Sequence, residues 1–196
     1  MPGRLLLALV ALACLATSVQ AASRLLDGKE ASPLFGWVGF CERHPAECEV
    51  DTNEPEALAL TDEVVGLLEA VNRHVNSSVK PMRDPDHWGQ VDRWSFPDDG
   101  YGDCEDFQLL KRKLLVEAGL PRRALRMTVV IDGGGAGHAV LTLRTTRDDL
   151  ILDNQTDAIL SWQETGYKFV QRESTRNTGW VFLEREASPL MTAMAQ

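Results

Sequence analysis

The apolar residues between Leu60 and Val75 recur every three or four positions, which is the spacing of one face of an α-helix. Thr61 stands at the start of this run and is suited to cap the first turn of the helix. A second run with the same spacing begins near Cys104 and ends before Gly119, a residue that favours helix termination. The pattern therefore predicts two amphipathic helices, and the proline- and glycine-rich stretch between them predicts an ordered loop.

After the second helix the pattern changes to short apolar segments rich in β-branched residues. Such segments, separated by turn residues, are typical of strands. The predicted strands are residues 125–132, 138–146, 149–153 and 179–184. The middle two strands are joined by a short turn, so they form an antiparallel hairpin. Helices followed by antiparallel strands indicate an α+β domain.

The chain opens with a single cation, an apolar stretch from Leu5 to about Ala16, and small residues up to Ala21. This layout predicts a secretory signal peptide over residues 1–22, because the apolar stretch is shorter than the roughly 20 residues that span a bilayer. Residues 23–196 are then expected to form one exported domain. No later segment is apolar enough to span a membrane, so we expect a periplasmic protein without a membrane span in its mature chain.

The charge balance is strongly acidic, with a formal net charge of −9 at pH 7. An acidic surface is unfavourable for binding nucleic acid or an anionic membrane, because both are themselves negatively charged. Divalent cations are a more natural partner for this chain.

Four cysteines are present. Cys14 lies in the predicted signal peptide, where attachment of a lipid stays open as an alternative. Cys41 and Cys48 are seven positions apart and would form a disulfide in an oxidising compartment. The alternative is a metal site that includes His44, but this set lacks a fourth ligand. Cys104 is left without a partner, which invites a functional explanation.

Three residues have the order and placement of a catalytic triad. Cys104 begins a predicted helix, His138 begins a predicted strand, and Asp153 ends the neighbouring strand. A thiol nucleophile needs a base, and the base needs a third group that fixes its tautomer. The fifteen residues from His138 to Asp153 suit a hairpin that brings their side chains together. The alternatives are a packed histidine and an aspartate that only ends a strand.

The segments GDCEDFQLLKRKLL, GHAVLTL and DLILDN carry a family resemblance, as do GWVGFCERHPAEC and VNRHVN upstream. In this order and at this spacing the chain resembles the bacterial transglutaminase-like cysteine proteinases from about Leu34 to Glu184. The resemblance implies a papain-like or transglutaminase-like fold. It also implies that Cys104 is the nucleophile, His138 the general base and acid, and Asp153 the residue that orients the imidazole.

The same resemblance implies calcium dependence, with Asp103, Glu105 and Asp106 as the ligands. Calcium prefers hard oxygen ligands such as carboxylates. A bound cation would also offset the negative field that opposes ionisation of the Cys104 thiol. The alternative is that these acids only cap the helix and complement its dipole.

We therefore expect a calcium-dependent periplasmic cysteine endopeptidase. The resemblance implies that its substrate is a large cell-surface adhesin, cut near the N-terminus, so that the enzyme controls biofilm attachment. It further implies a partner, an inner-membrane cyclic-di-GMP receptor whose periplasmic domain sequesters the protease. Two alternatives stay open, namely a transglutaminase or amidase that performs acyl transfer, and a catalytically silent, calcium-responsive binding module.

Overall fold

A computed structural model of the chain describes residues 24–184. The predicted signal peptide, with Cys14, lies outside the described residues. The helices are α1 (Phe35–Arg43), α2 (Asp62–Ser78), α3 (Asp84–Trp88) and α4 (Cys104–Glu117), with 3₁₀ turns at Pro45–Glu47 and Arg122–Ala124. The strands are β1 (Leu26–Ala31), β2 (Lys80–Pro81), β3 (Tyr101–Gly102), β4 (Leu125–Ile131), β5 (Gly137–Arg144), β6 (Asp149–Leu152), β7 (Leu160–Ser161), β8 (Lys168–Glu173) and β9 (Trp180–Glu184).

The two predicted amphipathic helices are α2 and α4. The hydroxyl oxygen of Thr61 accepts a hydrogen bond from the backbone N–H of Val64 at 3.3 Å, as expected for an N-cap. Helix α4 begins at Cys104, with Asp103 at the N-cap position. Beyond its end, Gly119 has a φ of 98°, which a glycine adopts at little cost and other residues rarely do.

Seven strands form one antiparallel sheet in the order β1-β9-β8-β4-β5-β6-β7. The four predicted strands correspond to β4, β5, β6 and β9, and the α+β fold class is confirmed. The sequence pattern did not identify β1, β7 or β8. Strand β8, KFVQRE, is rich in charged residues, and β1, LDGKEA, is a polar edge strand. Because β1 precedes α1, the described part of the chain begins with a strand and not with helices as the pattern indicated.

The largest core cluster lies between the sheet and helices α1, α2 and α4. Apolar residues from both layers form it, among them Leu68, Leu109, Leu115, Leu141 and Leu143. Three tryptophans, Trp37, Trp94 and Trp180, pack edge to face within this cluster, with ring centroids 5.6 to 6.1 Å apart. Among residues 24–184, no helix combines the length and the apolar character that crossing a membrane requires.

The predicted disulfide is present in the structure. Cys41 on α1 is bonded to Cys48, which follows the first 3₁₀ turn, with the two Cα atoms 5.7 Å apart. Cys48 is buried in the main core, so the bond fixes this turn against the helices. Within the described residues, Cys104 is the free cysteine.

The loop before α4 is more structured than its sequence indicated. Strands β2 and β3 pair in parallel, and the Lys80 backbone N–H donates to Gly100 O at 2.9 Å. The Met82 backbone N–H donates to Gly102 O at 2.8 Å. This short pairing places Asp84, the first residue of α3, beside Asp103, the N-cap of α4.

The packing of Gly36 generates a stability prediction. A Cβ atom at this buried position in α1 would collide with the carbonyl oxygen of Asp92 and with the indole of Trp94. We expect Gly36→Ala to lower the free energy of unfolding by about 1–3 kcal/mol, since overpacking forces its neighbours to shift. Urea titration followed by tryptophan fluorescence measures this change.

The matched control is Gly66→Ala in α2, where a Cβ atom would meet nothing within 4 Å. Alanine is the better helix former, so this variant should be more stable by up to about 1 kcal/mol. Equal effects of the two substitutions would contradict the packing described for α1.

Candidate active site

Cys104 is the first residue of α4, and its thiol is partly buried. Its Sγ donates to Glu105 Oε2 at 3.2 Å. The backbone amide of Ala139 in β5 also lies against the sulfur and stabilises the thiolate. Because Ala139 directly follows His138, the packing of α4 on β5 brings the predicted nucleophile to the strand that carries the predicted base.

His138 and Asp153 form a buried pair. His138 Nε2 lies 2.8 Å from Asp153 Oδ1, and the two residues are 6% and 2% exposed. The β5–β6 hairpin produces this contact, because Leu141 pairs with Leu152 at the end of the ladder and Asp153 follows at once. With Nε2 bonded to the carboxylate, Nδ1 is the nitrogen available to take a proton.

Asp153 receives several hydrogen bonds. Its Oδ1 also accepts from the Gln155 backbone N–H at 3.0 Å, and its Oδ2 accepts from the Tyr167 hydroxyl at 2.6 Å. Burial acts to raise the pKa of Asp153, but the hydrogen bonds from His138, Gln155 and Tyr167 outweigh it and the pKa is lowered. The residue is therefore an anion at neutral pH. Sequence reasoning did not identify Tyr167 as part of the site.

Three carboxylates lie together beside Cys104. Asp84, Asp103 and Glu105 each offer an oxygen, and these oxygens lie within 4.8 Å of one another. The backbone N–H of Asp84 donates to Asp103 Oδ2 at 3.1 Å, which ties the two loops together. Within the described part of the chain, Oδ1 of Asp84 and Oδ1 of Asp103 are buried without a hydrogen-bond partner. Such unpaired acceptors suit a hard cation.

The structure thus brings together two of the three predicted ligands, Asp103 and Glu105, and adds Asp84. Asp106 is fully buried nearby and is not one of these three, although it also has a free acceptor. Its Oδ1 accepts the Ser95 backbone N–H at 2.7 Å and holds the preceding loop, while its Oδ2 is buried without a hydrogen-bond partner among the described residues. Asp84 is nineteen residues before Asp103. In the sequence, Asp84 is only an acid in a proline-rich loop. The β2–β3 pairing that places it beside Asp103 involves two residues on each strand, which is too short to produce a recognisable strand pattern.

The buried acids have a strong effect on each other and on the thiol. Burial, followed by the charge of Asp103, raises the pKa of Glu105 to about 9. Burial also raises the pKa of Asp106 to about 8. The pKa of Cys104 is raised as well, by burial first and by the Glu105 charge second, although the Ala139 amide acts in the opposite direction. Without a neutralising cation the thiolate is therefore strongly disfavoured.

Comparison with known proteins gives a consistent result. The sequence model of the bacterial transglutaminase-like cysteine proteinases matches residues 27–188. Calcium-bound LapG of Legionella pneumophila is 30% identical, with a TM-score of 0.54 over 67% of this chain and 80% of that chain. EGTA-treated LapG from the same organism has the same identity and TM-score, over 63% of this chain and 69% of that chain. A search of curated proteins found no match.

The raised pKa values predict how the stability of the metal-free protein depends on pH. Glu105 and Asp106 titrate at about 9 and about 8 in the folded state, above their ordinary values of 4.5 and 3.8. Between these limits the folded protein binds more protons than the unfolded chain. The stabilisation of the folded state that the protonated Glu105 and Asp106 supply is therefore complete below about pH 4 and is lost as the pH rises towards 8. In chelator, we expect the free energy of unfolding to fall from about pH 5 to about pH 7.

The measurement stops near pH 7 because Lys111 acts with the opposite sign above that value, burial having lowered its pKa to about 7. The control is the double variant Glu105→Gln with Asp106→Asn, which cannot bind the extra protons. Its free energy of unfolding should depend much less on pH. If the free energy of unfolding of that variant depended on pH as steeply as that of the wild type, other groups would be responsible for the pH dependence.

Proposed function

The chain belongs to the bacterial transglutaminase-like cysteine proteinases, and we propose that it is a calcium-dependent endopeptidase whose triad is Cys104, His138 and Asp153. The observation that carries this proposal is the buried His138–Asp153 contact of 2.8 Å at the strand that lies against Cys104. A thiol at a helix N-terminus, a histidine and an orienting carboxylate are the groups that acyl transfer through a thioester needs.

In the proposed first step, His138 takes the proton of Cys104 and the sulfur attacks the carbonyl carbon of the scissile peptide bond. Backbone N–H groups in the first turn of α4 are available to stabilise the oxyanion. The C–N bond then breaks as His138 returns the proton to the leaving amine, which leaves an acyl-enzyme. Asp153 stays ionised and stabilises the imidazolium form of His138.

In the second step, His138 takes a proton from a water molecule, whose oxygen attacks the thioester carbonyl. The C–S bond breaks, the substrate carboxylate is released and Cys104 regains its proton. The net reaction is hydrolysis of one peptide bond.

The three clustered carboxylates fit a calcium ion because they are close together, Asp84 and Glu105 are buried, Asp103 is half-buried, and two of their oxygens are unpaired. Asp84, Asp103 and Glu105 would hold the ion. When bound, it would supply positive charge that favours the thiolate of Cys104, whose pKa is raised by burial first and by the Glu105 charge second. A calcium-bound and an EGTA-treated form of the similar L. pneumophila LapG support this part of the proposal.

We further propose that the substrate is a large cell-surface adhesin, cut near its N-terminus, and that the enzyme controls biofilm attachment. The disulfide and the predicted signal peptide support a periplasmic location. Family membership supports both this substrate and sequestration by an inner-membrane cyclic-di-GMP receptor.

Incubation with large surface proteins of the same organism, followed by N-terminal sequencing of fragments, tests the substrate. Addition of the receptor's periplasmic domain should inhibit cleavage, and unchanged cleavage would exclude sequestration.

The triad predicts graded losses of activity in that cleavage assay. Cys104→Ser and His138→Ala should each lower kcat by at least about 10⁴-fold, because one removes the nucleophile and the other its base. Asp153→Asn should lose less, since an amide oxygen can still contact the imidazole. His74→Ala, which removes an exposed histidine on α2, is the matched control and should retain full activity. Normal turnover of Cys104→Ser would end the protease proposal.

The carboxylate cluster predicts a defined response to metal. A chelator should abolish cleavage and calcium should restore it, whereas magnesium should substitute poorly because it demands tighter octahedral geometry. Asp103→Asn with Glu105→Gln should weaken calcium binding, measured by calorimetry, by at least about tenfold and should lower activity in parallel.

The matched control is Asp62→Asn with Glu63→Gln, the same chemical change in the exposed first turn of α2. This variant should bind calcium and cleave the substrate normally. Unchanged calcium affinity in Asp103→Asn with Glu105→Gln would show that other residues bind the ion. Full activity in excess chelator would show that cleavage does not need calcium.

A further inference from the structure

We propose that Tyr167 is a positioning residue of the active site, which holds the carboxylate of Asp153 and the ring of His138 in one arrangement. This inference rests on the proposed triad. Tyr167 lies in the turn between β7 and β8 and touches both residues, although it is fourteen positions from Asp153 and more distant still from His138.

The hydrogen bonds of Asp153 divide between its two oxygens. Oδ1 contacts His138 Nε2 at 2.8 Å and the Gln155 backbone N–H at 3.0 Å. Oδ2 accepts the Tyr167 hydroxyl at 2.6 Å, a distance typical of a strong bond from O–H to an ionised carboxylate. With both oxygens held, the carboxylate cannot turn away from the imidazole. Tyr167 therefore fixes the plane of the group that orients the base.

The ring of Tyr167 acts on the base directly. Its centroid lies 5.8 Å from that of His138, and the two planes are inclined at 73°, an edge-to-face contact. One side chain thus limits rotation of the imidazole by packing and rotation of the carboxylate by a hydrogen bond. Leucine or phenylalanine at this position would supply packing but no hydrogen bond.

The turn that carries Tyr167 is itself stabilised by hydrogen bonds and by a glycine in the left-handed conformation. Gly166 has a φ of 71°, in the left-handed region that favours glycine. The hydroxyl oxygen of Thr165 accepts the Tyr167 backbone N–H at 3.2 Å, and the same hydroxyl donates to Trp162 O at 2.9 Å. These contacts define the direction in which the tyrosine leaves the turn.

The charges around Asp153 favour its anion. The groups that face it are His138 from β5, the Tyr167 hydroxyl, and the fully buried amine of Lys111 from α4, whose pKa burial lowers to about 7 and the charge of Asp153 acts to raise. Burial, and then the hydrogen bond to Asp153, keep the pKa of Tyr167 above its ordinary value, with a smaller contribution from Asp132. The tyrosine therefore stays protonated and remains a donor at every pH at which the enzyme would work.

The test compares Tyr167→Phe with Tyr101→Phe in the calcium-loaded, full-length protein. Tyr101 on β3 is the other tyrosine of the chain, and its ring lies against His87 and Lys80, so the control removes the same hydroxyl from a different environment. We expect Tyr167→Phe to lower kcat by about 10- to 100-fold, as for loss of one charge-assisted hydrogen bond, with KM unchanged. The acid limb of its pH–rate profile should move to higher pH, because Asp153 loses a donor that favours its anion. Tyr101→Phe should match the wild type.

A double-mutant cycle separates positioning from general support of the fold. If Tyr167 acts through Asp153, the double variant Tyr167→Phe with Asp153→Asn should be no slower than Asp153→Asn alone. Additive losses, or a Tyr167→Phe variant that behaves like Tyr101→Phe, would overturn the inference.

A readout without substrate separates this inference from the proposed protease activity. The rate of Cys104 alkylation by iodoacetamide, measured against pH, reports activation of the thiol by the triad. Tyr167→Phe should be alkylated more slowly than the wild type and Tyr101→Phe at the wild-type rate. If the wild type cleaves no protein but this difference is present, the proposed substrate fails and the role of Tyr167 stands. Equal alkylation rates in all three proteins would overturn the role of Tyr167.

Discussion

The Cys104 thiol, which the proposed mechanism requires to ionise, shares a partly buried space with carboxyl groups that oppose its ionisation. Cys104 Sγ contacts Glu105, and Glu105 lies with Asp84 and Asp103 in one cluster. Several negative charges cannot coexist in a region of low dielectric unless protons or a cation neutralise them. Protons would keep the thiol neutral as well, whereas a cation would leave it free to ionise. In the proposed mechanism, the charge state of this cluster determines whether the Cys104 thiol can ionise, and the arrangement of charges supports the proposed role of calcium.

The position of Cys104, the proposed nucleophile, depends on buried polar contacts as well as on apolar packing. Arg112, two turns after Cys104, forms a buried ion pair with Glu173 of β8 at 2.8 Å. Glu173 also accepts the Met127 backbone N–H at 2.7 Å, and Trp37 packs on the guanidinium. Removing one partner of such a pair leaves an uncompensated buried charge, which is strongly destabilising. The pair thus holds α4 in one register against the sheet, and the thiol of Cys104 with it.

The sequence predicted those features that depend on short stretches of chain. Periodicity identified α2, α4 and the β5–β6 hairpin, and the hairpin length brought His138 and Asp153 together. The features that it missed depend on contacts between distant segments. The pattern did not reveal strand β8 because two of its charged residues, Arg172 and Glu173, are buried in ion pairs, contrary to the usual alternation. Asp84 reaches the carboxylate cluster through the short β2–β3 pairing, and Tyr167 reaches Asp153 through a turn between two strands that the pattern did not identify.

The two halves of the site depend on different interactions. The backbone of the loop after β6 is held from α2, where the Asn76 amide donates to Asp153 O at 3.0 Å and the Asn72 amide donates to Thr156 O at 3.2 Å. The side chain of Asp153 is held by His138 and Tyr167. This acid–base half is therefore ordered by hydrogen bonds that need no metal. The other half, with the proposed nucleophile at the start of α4, carries the carboxylates with unpaired oxygens. Binding or loss of a cation there would change the charge on the thiol while leaving His138 and Asp153 in place.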